Sequence, residues 1–162
     1  MDARVTSAPR RRHRNFQGLS APAGIAIDTQ AKVWAANAGG SSICEFSSSG
    51  SPVSSTGYSG GGLNGPYCIA VDGYGNIWAA SSGNNSISDL SSSGTPVSGS
   101  NGCKGGALSD PNAIAIDGSG EVWIANQPSK SITEFVGVAT PVVTPIVANL
   151  RSPYGVHAVN EP

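Results

Sequence analysis

Three aspartates are the side chains of this sequence with the clearest chemical pattern, because they recur at a fixed spacing. Asp28, Asp72 and Asp117 are 44 and then 45 residues apart. A ring of such carboxylates could bind Ca²⁺ around a central channel. An aspartate in a hairpin turn can instead accept hydrogen bonds from nearby backbone N–H groups. Because a single binding site does not need an aspartate in every repeat, we favour the structural role.

A second acidic set recurs in the same register, and we predict that its members are solvated residues of strands: Glu45, Asp89 and Glu134. Histidine is scarce. His13 lies near the start of the chain, and His157 aligns with the alanines of three predicted strands, where a histidine is more often structural than catalytic. The sequence gives no acid–base partner for it.

Cysteine and glycine motifs do not indicate a cofactor. The three cysteines lack the CxxC spacing of a zinc site, and a single disulfide stays open without an assigned pair. The glycine-rich stretch 57–65 lacks the Lys-Ser/Thr of a phosphate loop, and no G-x-S-x-G nucleophile motif is present. We therefore predict no cofactor, with a divalent metal entering only if the chain were an enzyme.

Charge is sparse and unevenly placed. Charged residues make up 12% of the 162 residues, about half the share of a typical soluble domain. Five of the nine basic residues lie in a predicted disordered arm, residues 1–17, and are Arg4, Arg10, Arg11, Arg12 and Arg14. No second basic stripe extends this arm, so nucleic-acid binding is not favoured. No apolar run reaches the length of a membrane span, and no signal-peptide core follows the arginines.

These residues belong to a repeated unit that must position them. Five columns keep the spacing of the aspartates, and the other four are Pro22/Pro66/Pro111, Trp34/Trp78/Trp123, Ile43/Ile87/Ile132 and Pro52/Pro96/Pro141. The columns divide residues 18–162 into units at about 19–62, 63–107 and 108–150, with a closing segment at 151–162. Repeats of this length are typical of stacked supersecondary units.

Each unit is predicted to form four short antiparallel strands. The "GIAID" segments alternate in a period of two, as strands do. The turn Asp-Gly-x-Gly follows in the second and third units, whereas residues 29–32 of the first unit lack glycine, so we expect a different turn there. A weaker fourth strand would begin at the last proline column, at a sheet edge. Four strands in about 40–50 residues indicate an all-β fold of β-propeller type, and a β-solenoid is the alternative.

The pattern P-x-G/A-I-A-I-D-x-x-G-x-V-W-x-A-N…S-I-x-E-F resembles the NHL-repeat family of propellers, near the bacterial group of streptogramin lyases. The resemblance implies six blades, of which this chain would hold three, and a full-length relative that is extracellular or periplasmic. It also implies a role in binding proteins, RNA or small ligands, although some relatives are lyases or gluconolactonase-type hydrolases. In the lyases a histidine follows the proline that opens a blade. Here those positions hold Ala23, Tyr67, Asn112 and Tyr154.

We therefore predict a non-catalytic binding or scaffold module for a protein, small-molecule or carbohydrate ligand. Its ligand residues would be Tyr67, Asn112, Tyr154 and His157, mostly on loops before the first strands. The alternative is a degenerate enzyme of the streptogramin lyase or lactonase type.

Half a ring would leave two sheet faces uncovered, lined by residues such as Ile25, Ile27 and Trp34. Truncation of a longer protein is the favoured explanation, and a homodimer that completes a six-bladed ring is the other.

Overall fold

The computed structural model describes residues 19–142. This part of the chain forms three antiparallel sheets of three strands each, and no helix in it is long and apolar enough to cross a membrane. The strands, in chain order, are β1 (Pro22–Ile27), β2 (Val33–Asn37), β3 (Ser42–Phe46), β4 (Pro66–Val71), β5 (Ile77–Ser81), β6 (Ser86–Leu90), β7 (Pro111–Ile116), β8 (Val122–Asn126) and β9 (Ser131–Phe135). Each sheet corresponds to one sequence unit, and each middle strand pairs with both of its neighbours.

The predicted fourth strand is not confirmed in the described residues. After β3, only two isolated bridges form, between Phe46 and Pro52 and between Ile43 and Tyr58. The second unit repeats these bridges at Pro96 and Cys103. Proline cannot donate to a strand ladder, and the glycines and serines between the bridges favour turns. The edge segment is therefore held at two points and does not form a regular strand.

The hairpin turn of the first sheet is the same as in the others, contrary to the sequence prediction. The Ala31 N–H donates to the Asp28 carbonyl (3.0 Å), as the Gly75 N–H donates to that of Asp72 (3.0 Å). Ala31 has a φ of 59°, and Gly75 has a φ of 88°. Alanine therefore adopts the left-handed conformation that glycine takes at the same place in the second sheet, at a conformational cost of roughly 1 kcal/mol.

The first strand of each sheet, which we call its inner strand, lies beside the inner strand of the next sheet: β1 contacts β4, and β4 contacts β7. The sheets therefore stack face to face, and the core lies between them. In the first gap, Trp34 and Ile43 of the first sheet pack against Ile69 and Ile77 of the second. The second gap repeats this contact, with Trp78, Ala80 and Ile87 packed against Val122 and Ile124. Each large aliphatic or aromatic side chain buried in this way contributes roughly 1.5–3 kcal/mol.

Within residues 19–142, two sheet faces have no neighbouring sheet, and the residues exposed on them differ in part from those that the sequence predicted. Trp34 is fully buried, because the second sheet covers it, whereas its equivalent Trp123 is 38% exposed. On the opposite side, Ile25 and Ile27 are 70% and 65% exposed. The outer part of that side is already covered, since Ala35, Cys44 and Phe46 are buried in a small cluster with Leu19 and Val33.

The turn at Ala31 gives a direct test of these backbone conformations. We expect Ala31→Gly to raise the free energy of unfolding by about 1 kcal/mol, because glycine adopts a positive φ without a steric penalty. The reverse change, Gly75→Ala, should lower the free energy of unfolding by a similar amount, because alanine is strained at the positive φ of this position. Steric contact adds little to this cost, since the added Cβ would meet only the Ser92 Cβ at 3.4 Å. Urea unfolding measures both variants. Equal stabilities for Ala31→Gly and the wild type would contradict the shared turn.

Candidate functional site

The inner strands share an irregularity at their first residues, where the predicted ligand residues lie. In the second sheet Pro66 pairs with Ser81 and Cys68 with Ala80, which leaves Tyr67 as an extra, unpaired residue. Asn112 has the same place in the third sheet, and the first sheet is irregular between Pro22 and Ile25. Such β-bulges are common next to binding sites because they redirect a side chain. Tyr67 and Asn112 are thus strand residues at bulges, and not loop residues as predicted.

The bulges of β1 and β4 lie close together because the two strands approach each other at a glycine. A Cβ on Gly24 would come within 2.9 Å of both the Cys68 Cα and the Tyr67 carbonyl oxygen. A real Cβ does not tolerate such contacts, so only glycine permits this approach. Because β7 is in turn the neighbour of β4, the bulged ends of the three inner strands lie at the same end of the stack, and we call this surface the bulge end.

The bulge end combines an exposed aromatic ring with a pair of amides. Tyr67 is 50% exposed, and the Asn112 Nδ2 donates to the Gln127 Oε1 at 2.9 Å. Gln127, which directly follows β8, is not among the ligand residues that the sequence predicts, because its contact with Asn112 depends on the bulge in β7. Tyr154 and His157 lie outside the described residues.

The aspartate column forms clamps that hold the tryptophan column in place. In the first sheet, Asp28 Oδ1 accepts the N–H groups of Gln30 and Lys32 (both 2.9 Å), and Oδ2 accepts the Trp34 indole N–H (3.0 Å). Asp72 and Asp117 accept the equivalent bonds from their own turns and from Trp78 and Trp123. The structural role favoured from the sequence is confirmed.

In the second and third sheets, these hydrogen bonds also lower the pKa of the clamp carboxylate. Burial by itself would raise the pKa of Asp72, but N–H donation by Thr140, Asn76 and Tyr74 outweighs it and lowers that pKa. The Trp123 indole, together with backbone N–H groups, holds the pKa of Asp117 well below its usual range. Within residues 19–142, no three His, Cys, Asp or Glu side chains are grouped as metal ligands.

The predicted solvation of the second acidic column is wrong for two of its three members. Glu45 and Asp89 are 2% and 8% exposed, and only Glu134 lies on the surface. Glu45 has two partners, since Lys32 Nζ lies 2.9 Å from its Oε1 and the Tyr58 hydroxyl donates to its Oε2. Burial, and to a smaller extent the hydrogen bond to the negatively charged Glu45, raises the pKa of Tyr58 to about 12.

Asp89 lacks both of these partners. Asn76 has the sequence position of Lys32, and Cys103 makes the bridge to Ile87 that Tyr58 makes to Ile43. The Asp89 Oδ1 is buried without a hydrogen-bond partner. Burial, and then the charge of Asp72, raises the pKa of Asp89 to about 6. The two carboxylates differ because the residue type at the position of Lys32 changes from one repeat to the next, from lysine to asparagine.

The three cysteines are free, so the disulfide left open by the sequence does not form. Burial raises the pKa of the Cys68 thiol to about 12, although the Ala80 backbone opposes this shift. Cys68 is therefore protonated at neutral pH and is not a ready nucleophile.

A cleft lies at the other end of the inner strands, at the hairpin turns. It has a volume of about 400 Å³ and is lined by Ile27, Asp28, Thr29, Val71, Asp72, Gly73, Pro141 and Val142. Its two carboxylates are those of the clamps, already bonded to backbone and indole N–H groups. Its polar groups are therefore largely committed to the fold.

Comparison with known proteins identifies the fold class. The chain is similar to the virginiamycin B lyase of Staphylococcus aureus (17% identity, TM-score 0.53), over 74% of this chain and 42% of that one. It is also similar to a gluconolactonase of Xanthomonas campestris (14%, TM-score 0.52, 76% and 46% covered). A third similar structure is the calcium-binding protein regucalcin of Agrobacterium tumefaciens (14%, TM-score 0.54, 75% and 47% covered).

These proteins are β-propellers, and the likeness gives this chain a fold of the propeller type. The chain spans less than half the length of each of them. No protein-family model matches the sequence, and no curated protein matches it. The NHL-repeat resemblance therefore stays a prediction, as does the number of blades.

Asp89 gives a pH-dependent prediction. Its folded pKa of about 6 lies above the ordinary value of 3.8, so ionisation disfavours the folded state above pH 6, and this penalty disappears by about pH 4. We expect Asp89→Asn to raise the free energy of unfolding at pH 7 by about 1–3 kcal/mol and to lose that gain by pH 4. Asn76→Lys should lower the pKa of Asp89, because it supplies the ammonium that Lys32 supplies to Glu45, but it also removes the Asn76 Nδ2–Asp72 Oδ2 hydrogen bond (3.0 Å).

Denaturant unfolding between pH 4 and pH 8 measures this dependence, and Glu134→Gln serves as the control because Glu134 is exposed. A gain for Asp89→Asn that is constant with pH would contradict the raised pKa.

Proposed function

We propose that the chain is a non-catalytic binding module of the propeller type, with its ligand at the bulge end. The observation that carries this proposal is the placement of two bulge residues at the same ends of adjacent inner strands, Tyr67 in β4 and Asn112 in β7. Bulges interrupt the ladder at a cost to pairing, and their repetition in register favours a use for the side chains that they redirect.

The exposed chemistry suits a neutral, polar ligand with apolar faces, and we propose a carbohydrate. The Tyr67 ring offers a flat apolar surface with a hydroxyl group at its edge. In the Asn112–Gln127 pair, one donor and one acceptor satisfy each other, so the Asn112 oxygen and the Gln127 amide N–H₂ stay available. Tyr154 and His157 remain predicted members of the same surface.

The alternative is a degenerate enzyme of the lyase or lactonase type, as two of the similar structures are enzymes. The residues that follow the blade-opening prolines support the binding module instead, because Ala23, Tyr67 and Asn112 carry no imidazole for general acid–base chemistry. A turnover assay with quinupristin and with gluconolactone separates the two functions. We propose that neither compound is converted.

An NMR titration with neutral oligosaccharides, scored by backbone amide shifts, tests the binding surface. We expect perturbations at Tyr67, Asn112 and Gln127, and a loss of affinity of at least about tenfold for Tyr67→Ala, because an exposed aromatic anchor dominates such contacts. Tyr74→Ala is the matched control, since Tyr74 is 80% exposed but belongs to a hairpin turn. Perturbations confined to the hairpin turns, or equal losses for both variants, would contradict the proposal.

A further inference from the structure

An apolar groove lies open on the outer face of the third sheet. It has a volume of about 200 Å³, and its lining carries almost no polar surface; the residues are Ala113, Ile114, Ala115, Trp123, Ile124, Ala125 and Ile132. Trp123 and Ile132 are 38% and 72% exposed there, whereas the equivalent Trp34 and Ile43 are fully buried. An exposed patch of this kind marks an interaction surface.

The other two sheets show what fits such a groove. The same face of the first sheet, with Trp34 and Ala36, is filled by Ile69 and Val71, two residues apart on the inner strand β4, and by Ile77, Ala79 and Leu90 of the next two strands. The second sheet, with Trp78 and Ala80, is filled by Ile114 and Ile116 of β7 together with Val122 and Ile124 of β8. The part of the partner that its inner strand supplies is therefore a pair of branched aliphatic side chains at positions i and i+2.

Among the strands of residues 19–142, one that fits this description is exposed. Ile25 and Ile27 of β1 are the equivalents of Ile69 and Val71, and they are 70% and 65% exposed. The outer strands beside them are covered, because Cys44 and Phe46 are already buried. A contact with the groove therefore depends on the inner strand, and both halves of the contact are present on every copy.

We propose that a second copy of this chain docks here, with Ile25 and Ile27 of each copy in the groove beside Ala115 and Trp123 of the other. The contact continues the sheet stacking that already occurs twice within one chain. Two such contacts related by a twofold axis close the pair, so that no groove stays open.

Light scattering of the full chain tests this pairing, with Ile25→Arg and Ala115→Glu as the variants. Both positions are exposed in the single chain, so neither change disturbs a buried contact. We expect twice the chain mass for the wild type, and at least about 100-fold weaker pairing for each variant alone, because a charge enters an apolar contact. Val97→Arg, at an exposed valine of an edge segment, should pair like the wild type.

Mixing the two variants gives the sharpest outcome. A mixed pair has one contact with both native surfaces and one contact in which the introduced arginine meets the introduced glutamate. The two new side chains carry opposite charges, so we expect dimers to reappear. A monomeric wild type would overturn the proposal. If the fluorescence of Trp123 were then shielded from acrylamide, as that of the buried Trp34 and Trp78 already is, another segment of the same chain would cover the groove. Dimers that survive both variants would also overturn it, because they would use a different surface.

Discussion

Packing between neighbouring sheets is the interaction on which the rest of this structure depends. Each sheet has three strands of five or six residues, and a sheet so small cannot bury its own apolar side chains. Trp34 and Trp78 reach zero or near-zero exposure only because the following sheet covers them. The aspartate clamps serve the same packing, since each one closes its hairpin turn and fixes the indole of its own sheet, and the indoles of Trp34 and Trp78 fill the two gaps.

The sequence predicted the features that repeat, because repetition separates structural constraint from chance. The aspartate column has the structural role expected from its register, whereas the tryptophan and isoleucine columns are buried in the first two sheets and exposed in the third. Features that belong to one sheet could not be found in this way. The left-handed Ala31 resembles no turn signal, and the burial of Glu45 and Asp89 depends on the partners available in each sheet. Lys32 and Tyr58 satisfy the first carboxylate, whereas Asn76 and Cys103 leave the second one unpaired.

In the candidate site, too, the sequence predicted what repeats and did not predict what belongs to one sheet. The position after each blade-opening proline was identified from the sequence, but its location in a strand, at a bulge, depends on a pairing register that residue types do not encode. Gln127 became part of the site only through its contact with Asn112. The chemistry of the bulge end is therefore determined by residues that differ between the repeats, and not by the residues that recur.

Hydrogen exchange of the backbone amides in the middle strands tests the stacking most directly. The second sheet is the only one of the three described sheets with a neighbour on both faces within one chain, so its middle strand β5 should open least often. We predict that, at protein concentrations too low for pairing, the amides of Ile77–Ser81 exchange more slowly than those of β2 and β8. Slower exchange in β2 or β8 than in β5 under these conditions would contradict the stacked arrangement.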